Sequence, residues 1–115
     1  MAISAEKEKV IDVEDAGTTM RFLTAFFSVT NQQKILTGTA RMKERPIGIL
    51  VDALRNLGAE IEYLEIDGFP PHEVKKFTGQ KTNTLRIRGD VSSQYISALM
   101  MVSPILPNGL TLFLE

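Results

Sequence analysis

Residues 46–58, PIGILVDALRNLG, constrain the fold more than any other stretch. Ile47, Leu50, Val51, Leu54 and Leu57 recur at helical spacing and fall on one face. Pro46 suits the first helical position, where its missing N–H costs no bond, and Gly58 suits the left-handed closure of the last turn. A helix with a single apolar stripe has to bury it against another layer. Strand-like segments stand on both sides of it: Lys34–Leu36 before, and Ile61, Tyr63 and Ile66 after. Helix and strands in alternation imply an α/β arrangement.

The same order recurs along the chain. Val10, Ile11 and Val13 read as a strand, Asp15–Thr19 as a polar turn, and Met20–Val29 as a helix apolar over a wide arc and so buried on more than one side. Lys34–Leu36, the basic turn Thr37–Pro46 and the central helix repeat the pattern. Glu73–Phe77 continues as a strand, with His72 beside two prolines as a loop residue without a role. Leu85 and Ile87, alternating with Arg86 and Arg88, make a half-exposed strand. Gly89–Gln94 is the third turn, Tyr95–Val102 the third helix, stopped by Pro104 and Pro107, and Leu110–Leu114 a last strand. Each turn aims backbone N–H groups or hydroxyls out from a helix start, a position that favours anions. If the three starts share one rim, they bind a multiply anionic ligand together.

Composition limits what that ligand and its chemistry are. Hydrophobic residues make up 43% of the 115 and charged residues 23%, which is globular. The formal net charge of −1 gives no global attraction to nucleic acid or to an acidic membrane, so any anion site is local. With no cysteine and one histidine there is no disulfide framework, no thiolate or histidine metal centre and no cysteine nucleophile. Neither a signal core nor a membrane-length apolar run is present, and a cytoplasmic protein is the default.

Several side chains are candidates for an anion. Arg41, Lys43 and Arg45 crowd ahead of the central helix with only Glu44 opposing them; a phosphate or carboxylate seat and a solvated basic turn are both open readings. Gly17, Thr18 and Thr19 form either a phosphate-facing turn or a plain helix cap, and Ser92 and Ser93 either a pair of phosphate donors or a cap. Gln94 points at a ligand or lies on the surface. Arg45, directly before Pro46, is the most pointed cation, and arginine favours two-pronged contact with carboxylate or phosphate. Arg21 reads as a structural salt-bridge partner, and Tyr95, Met100 and Met101 as core or rim.

Four motifs in register carry a family resemblance: DAGTTMRFL at 15–23, LTGTARMKERPIGILVDALRNLGAEIEYL at 36–64, GFPP at 68–71 and GDVSSQYISALMM at 89–101. Together they resemble the 5-enolpyruvylshikimate-3-phosphate synthases, the 3-phosphoshikimate 1-carboxyvinyltransferases of aromatic amino acid biosynthesis. The resemblance implies an inside-out α/β barrel whose two domains are each built from βαβαββ units. It implies transfer of the enolpyruvyl group of phosphoenolpyruvate to the 5-hydroxyl of shikimate 3-phosphate, with release of phosphate and without cofactor or metal. Carried over position by position, Gly17, Thr18, Arg45 and Gln94 resemble the phosphoenolpyruvate-binding residues. Ser92, Ser93 and Gln94 resemble those that hold shikimate 3-phosphate. Asp15 stands where asparagine is common and Phe22 where proline is common, and no role is carried over to either.

The resemblance covers only part of such an enzyme. We expect a frayed start over residues 1–9 and, over 10–115, part of an N-terminal domain truncated at its C-terminal end, because Leu110–Glu115 is a hydrophobic strand with no turn after it. No catalytic residue of the family falls within it. The expected partners are the two substrates and the second domain of a parent monomer, with neither nucleic acid nor membrane. A strand edge near Leu112 is expected to pair with another copy. Two rivals remain: the sister enzyme acting on UDP-N-acetylglucosamine, many of whose members carry a loop cysteine absent here, and a non-catalytic anion-binding module.

Overall fold

The computed structural model describes residues 10–77, 79–87, 93–106 and 108–114. Its elements run β1 (Val10–Asp12), α1 (Gly17–Val29), β2 (Lys34–Thr37), α2 (Gly48–Leu57), β3 (Ala59–Tyr63), β4 (His72–Phe77), β5 (Thr84–Ile87), α3 (Ser93–Val102) and β6 (Thr111–Leu114). Short 3-10 turns occupy Met42–Glu44 and Ser103–Ile105. The first six elements are one βαβαββ unit, and β5-α3-β6 adds a further βαβ. The expected fray over residues 1–9 lies outside the described residues.

The main sheet has the order β1-β2-β4-β3. β1 and β2 are parallel, with Val10 opposite Ile35 and Asp12 opposite Thr37. β4 runs antiparallel to both β2 and β3. A parallel pair needs a crossover, which α1 supplies, whereas β3 and β4 are joined by a loop. β5 and β6 form a separate parallel pair, Leu85 opposite Leu112, connected through α3.

Helix α1 lies at the centre. It packs on β2, β3 and β4 on one side and meets α2 and α3 on the other. That explains its wide apolar arc: Met20, Leu23, Ala25, Phe27 and Val29 are all buried. The stripe of α2 is buried as its spacing requires, with Leu50, Val51, Leu54 and Leu57 fully enclosed. Each such side chain contributes roughly 1.5–3 kcal/mol relative to exposure. Gly58 closes α2 at φ +123°, and a Cβ there would also collide with the carbonyl of Gly79.

Four boundaries differ from the sequence reading. α1 begins at Gly17, one turn before Met20. α2 begins at Gly48 rather than Pro46, because Ile47 is held outside the helix by its N–H, which donates to the Gly68 carbonyl at 2.9 Å. Ile66 is no strand residue: β3 ends at Tyr63 and Ile66 is 62% exposed. His72 is no loop residue. It opens β4, is fully buried, and its Nε2 lies 2.9 Å from Thr24 Oγ1 on α1. Among the described residues no helix is long and apolar enough to cross a membrane.

Candidate anion-binding site

Because β1 and β2 are parallel, the turns that follow them leave the sheet at the same edge, and ligands of such sheets gather outside the carboxyl ends of the strands. The two turns are stitched together. The Val13 N–H donates to the Thr37 carbonyl at 3.0 Å and the Thr39 N–H to the Glu14 carbonyl at 3.3 Å. The Thr39 hydroxyl donates to the Asp15 carboxylate and accepts from the Met42 N–H at 3.3 Å. Asp15, a carboxylate beside a proposed anion seat, is therefore occupied by Thr39. Gly38 is needed for this approach: a Cβ there would stand 2.5 Å from the Glu14 carbonyl oxygen and 2.7 Å from Met42 Cγ.

The stitching brings Arg45 to the start of α1. Its guanidinium lies directly against Gly17, in the space a Cβ would occupy. Arg21, one turn along α1, reaches back to the same place, its two terminal nitrogens 3.3 and 3.4 Å from that Cβ position. Among the described residues no side chain caps α1, so the N–H groups of its first turn have no cap partner there; the N-cap position is Ala16, and the capping reading of Gly17–Thr19 is not met. Thr18 is exposed beside them.

Electrostatically the cluster is one-sided. Among the described residues no carboxylate pairs with Arg21 or Arg45. Arg21 Nε is buried without a hydrogen-bond partner. Burial pushes the Arg21 guanidinium below its ordinary pKa, Tyr95 pulls it up, and the charge of Arg45 pushes it down again. Two like charges held together at the positive end of a helix give a local positive potential, an arrangement that favours an anion.

The third helix reaches the same spot. Tyr95, in the first turn of α3, donates its hydroxyl proton to the Pro46 carbonyl at 2.5 Å, and the Arg21 guanidinium lies 5.8 Å from its ring centroid. The starts of α1, α2 and α3 thus share one rim. Ser92 lies outside the described residues. Ser93 and Gln94 open α3, but their side chains lie outside the described residues too.

The basic turn is not a three-cation seat. Lys43 pairs with Glu65 at 3.6 Å; Arg41 and Arg45 are both exposed, and of the three it is Arg45 whose guanidinium lies against Gly17 at the α1 start. Its companion is Arg21, which among the described residues makes no salt bridge and is not the structural partner its position suggested. The available signal was its spacing: four residues after Gly17 is one helical turn. A separate cleft of 370 Å³, lined by Arg55, Lys76 and Lys81, lies at the other end of α2. There Arg55 is already engaged by the Ile61 carbonyl at 2.7 Å and by Asp52 at 3.8 Å. Among the described residues no group of three His, Cys, Asp or Glu is placed to hold a metal.

A family model described as EPSP synthase (3-phosphoshikimate 1-carboxyvinyltransferase) matches residues 2–115. The chain belongs to the EPSP synthase family. It is 53% identical over 109 residues to a 3-phosphoshikimate 1-carboxyvinyltransferase of Bacteroides fragilis, covering 93% of this chain and 26% of that one. It is 48% identical over 103 residues to the protein of the same name from Shewanella woodyi, covering 90% and 24%. Among solved structures, EPSP synthase from Acinetobacter baumannii superposes with a TM-score of 0.70 at 25% identity, over 83% of this chain and 21% of that one. The mixed α/β architecture with its βαβαββ elements matches part of the EPSP synthase fold. The chain spans about a quarter of the length of the curated relatives it matches.

Proposed function

We propose that this chain forms one wall of a 3-phosphoshikimate 1-carboxyvinyltransferase site, in which phosphoenolpyruvate is held at the start of α1 and shikimate 3-phosphate at the start of α3. The observation that carries the reading is the pair of guanidiniums, Arg45 and Arg21, set at the end of a helix with neither a carboxylate partner nor a side-chain cap among the described residues. Phosphoenolpyruvate brings a carboxylate and a phosphate, and planar guanidiniums match both in two-pronged contacts. Gly17 and Thr18 offer first-turn N–H groups to the same anion. Ser92, Ser93 and Gln94 are assigned to shikimate 3-phosphate, with Gln94 between the two substrates.

In the reaction the 5-hydroxyl of shikimate 3-phosphate loses its proton and its oxygen bonds to C2 of phosphoenolpyruvate, while the C2–C3 double bond opens and C3 takes a proton. Phosphate then leaves as a C3 proton is lost, giving the enol ether. The work of this chain is to hold both substrates in reacting geometry and to steady the charge on the departing phosphate. No proton-transferring residue is assigned to it, and with one wall only the donors face bulk water and lose strength. The chain alone therefore binds without turning over.

The test is a pair of measurements on the 115-residue chain. Calorimetry with phosphoenolpyruvate is expected to show saturable binding, and a phosphate-release assay with both substrates no turnover. Absence of binding overturns the site; ordinary enzyme rates overturn the one-wall reading.

A further inference from the structure

Tyr95, in the first turn of α3, reaches both of the other helix starts. Its hydroxyl donates to the carbonyl of Pro46, the residue directly after Arg45, at 2.5 Å. Its ring lies under the Arg21 guanidinium, 5.8 Å from centroid to Cζ. The hydroxyl therefore fixes the Pro46–Ile47 peptide, one residue past Arg45, and the ring face, negative in its quadrupole, supports a cation that is otherwise crowded by Arg45. Like-charged guanidiniums drift apart unless something holds them, and no carboxylate among the described residues does so. Tyr95 also follows Ser93 and Gln94 without a gap, so the same bond sets where α3 begins relative to Arg45.

We infer that Tyr95 is a positioning residue for the anion site: it locks Arg45 and Arg21 at the start of α1 and joins that site to the start of α3. The inference rests on the proposed phosphoenolpyruvate site for its functional consequence, but not for its geometry. Without the phenol oxygen Arg45 loses its anchor while Arg21 keeps its ring; without the ring both are released. A second arginine–tyrosine pair in the chain provides the control. Arg55 lies 5.2 Å from the Tyr63 ring centroid, where no anion site is proposed.

The experiment uses the whole 115-residue chain, isotope-labelled, with Tyr95→Phe, Tyr95→Leu and Tyr63→Leu variants. Two readouts are taken: the arginine Nε–H signals without ligand, and the affinity for phosphoenolpyruvate and for inorganic phosphate. In Tyr95→Phe the Arg45 signal is expected to move and broaden while that of Arg21 stays. Phosphoenolpyruvate affinity should fall about threefold to tenfold, the range of one lost hydrogen bond. In Tyr95→Leu both signals are expected to move and the affinity to fall further, whereas Tyr63→Leu leaves affinity and both signals unchanged. Backbone amide spectra far from the rim report whether a variant is folded, and Tyr95→Phe, which keeps the ring, remains the deciding variant if Tyr95→Leu is not. Unchanged arginine signals in Tyr95→Phe overturn the positioning role. If the wild-type chain binds neither ligand, the functional reading falls, and the ligand-free signals still decide whether Tyr95 holds the arginines.

Discussion

The guanidinium of Arg45 fills the space that a side chain on Gly17 would need. A residue 28 positions later in the chain thus occupies the space beside the first residue of α1, and a side chain there would have to push its guanidinium aside. The relationship exists because β1 and β2 are parallel neighbours, so the turns behind them emerge side by side.

It makes Gly17→Ala a separation of stability from binding. Alanine is the better helix former by about 1 kcal/mol, so the fold does not suffer from the backbone change. The added methyl has to displace Arg45, and the expected loss in phosphoenolpyruvate affinity is about tenfold, or ~1.4 kcal/mol. Calorimetry and thermal unfolding of the same sample check both halves. An alanine variant that binds as tightly as the parent contradicts the placement of Arg45.

Removing a charge from the pair should show the opposite balance of function and stability. Arg21→Met relieves both the burial of a charge and its repulsion from Arg45. Thermal stability is expected to hold or rise, while phosphoenolpyruvate affinity falls, the trade-off common at binding sites. Arg45→Lys keeps the charge but loses the fork, and an affinity loss of about tenfold is expected. A variant that loses stability and affinity together would mark Arg21 as structural.

Gly38 is predicted to be intolerant. Its place between the Glu14 carbonyl and Met42 leaves no room for a methyl. Glu14 is backbone held at φ +55° and does not yield cheaply. Gly38→Ala should cost about 1–3 kcal/mol, typical of overpacking, read as a lower urea midpoint. An unchanged midpoint would show that the two turns are not stitched as described.

Acid should destabilise the fold through His72. The Thr24 hydroxyl donates its proton to the Met20 carbonyl at 2.7 Å, so it accepts from His72 Nε2–H, and the buried Nδ1 is left without a partner. Burial lowers the His72 pKa from 6.5 to about 4. Between those values the unfolded chain takes up a proton that the folded one refuses. The contribution is fully present above pH 6.5 and is lost as pH falls toward 4, amounting to about 3 kcal/mol. Urea unfolding from pH 7.5 to 4 measures it. A His72→Gln variant should lack that part of the slope, and an identical slope would contradict the assignment.

Much of the fold was legible because its elements carry their own periodicity. The stripe of α2 and the wide arc of α1 each follow from local pattern. What failed depended on distant partners. The start of α2 is set by the Gly68 carbonyl, 21 residues from Ile47, and no local signal at Pro46 reports it. His72 is buried because β4 turns it toward α1, which its proline neighbours conceal. In the basic turn, Arg41, Lys43 and Arg45 look equivalent in sequence apart from the place of Arg45 before Pro46. Only the 3-10 turn, which buries Met42 and sends Lys43 to Glu65, separates them. The placement of Arg21 was not legible, because it depends on reaching back along its own helix to meet a cation from another turn.

The most direct test of the account is a titration of the isotope-labelled chain with phosphoenolpyruvate, following every backbone amide. Signals of Gly17 and Thr18, of residues flanking Arg45 and of Tyr95 should shift together along one saturating curve, while those around Arg55, Lys76 and Lys81 stay still. Shifts confined to that second basic cleft, or none at the three helix starts, would contradict it.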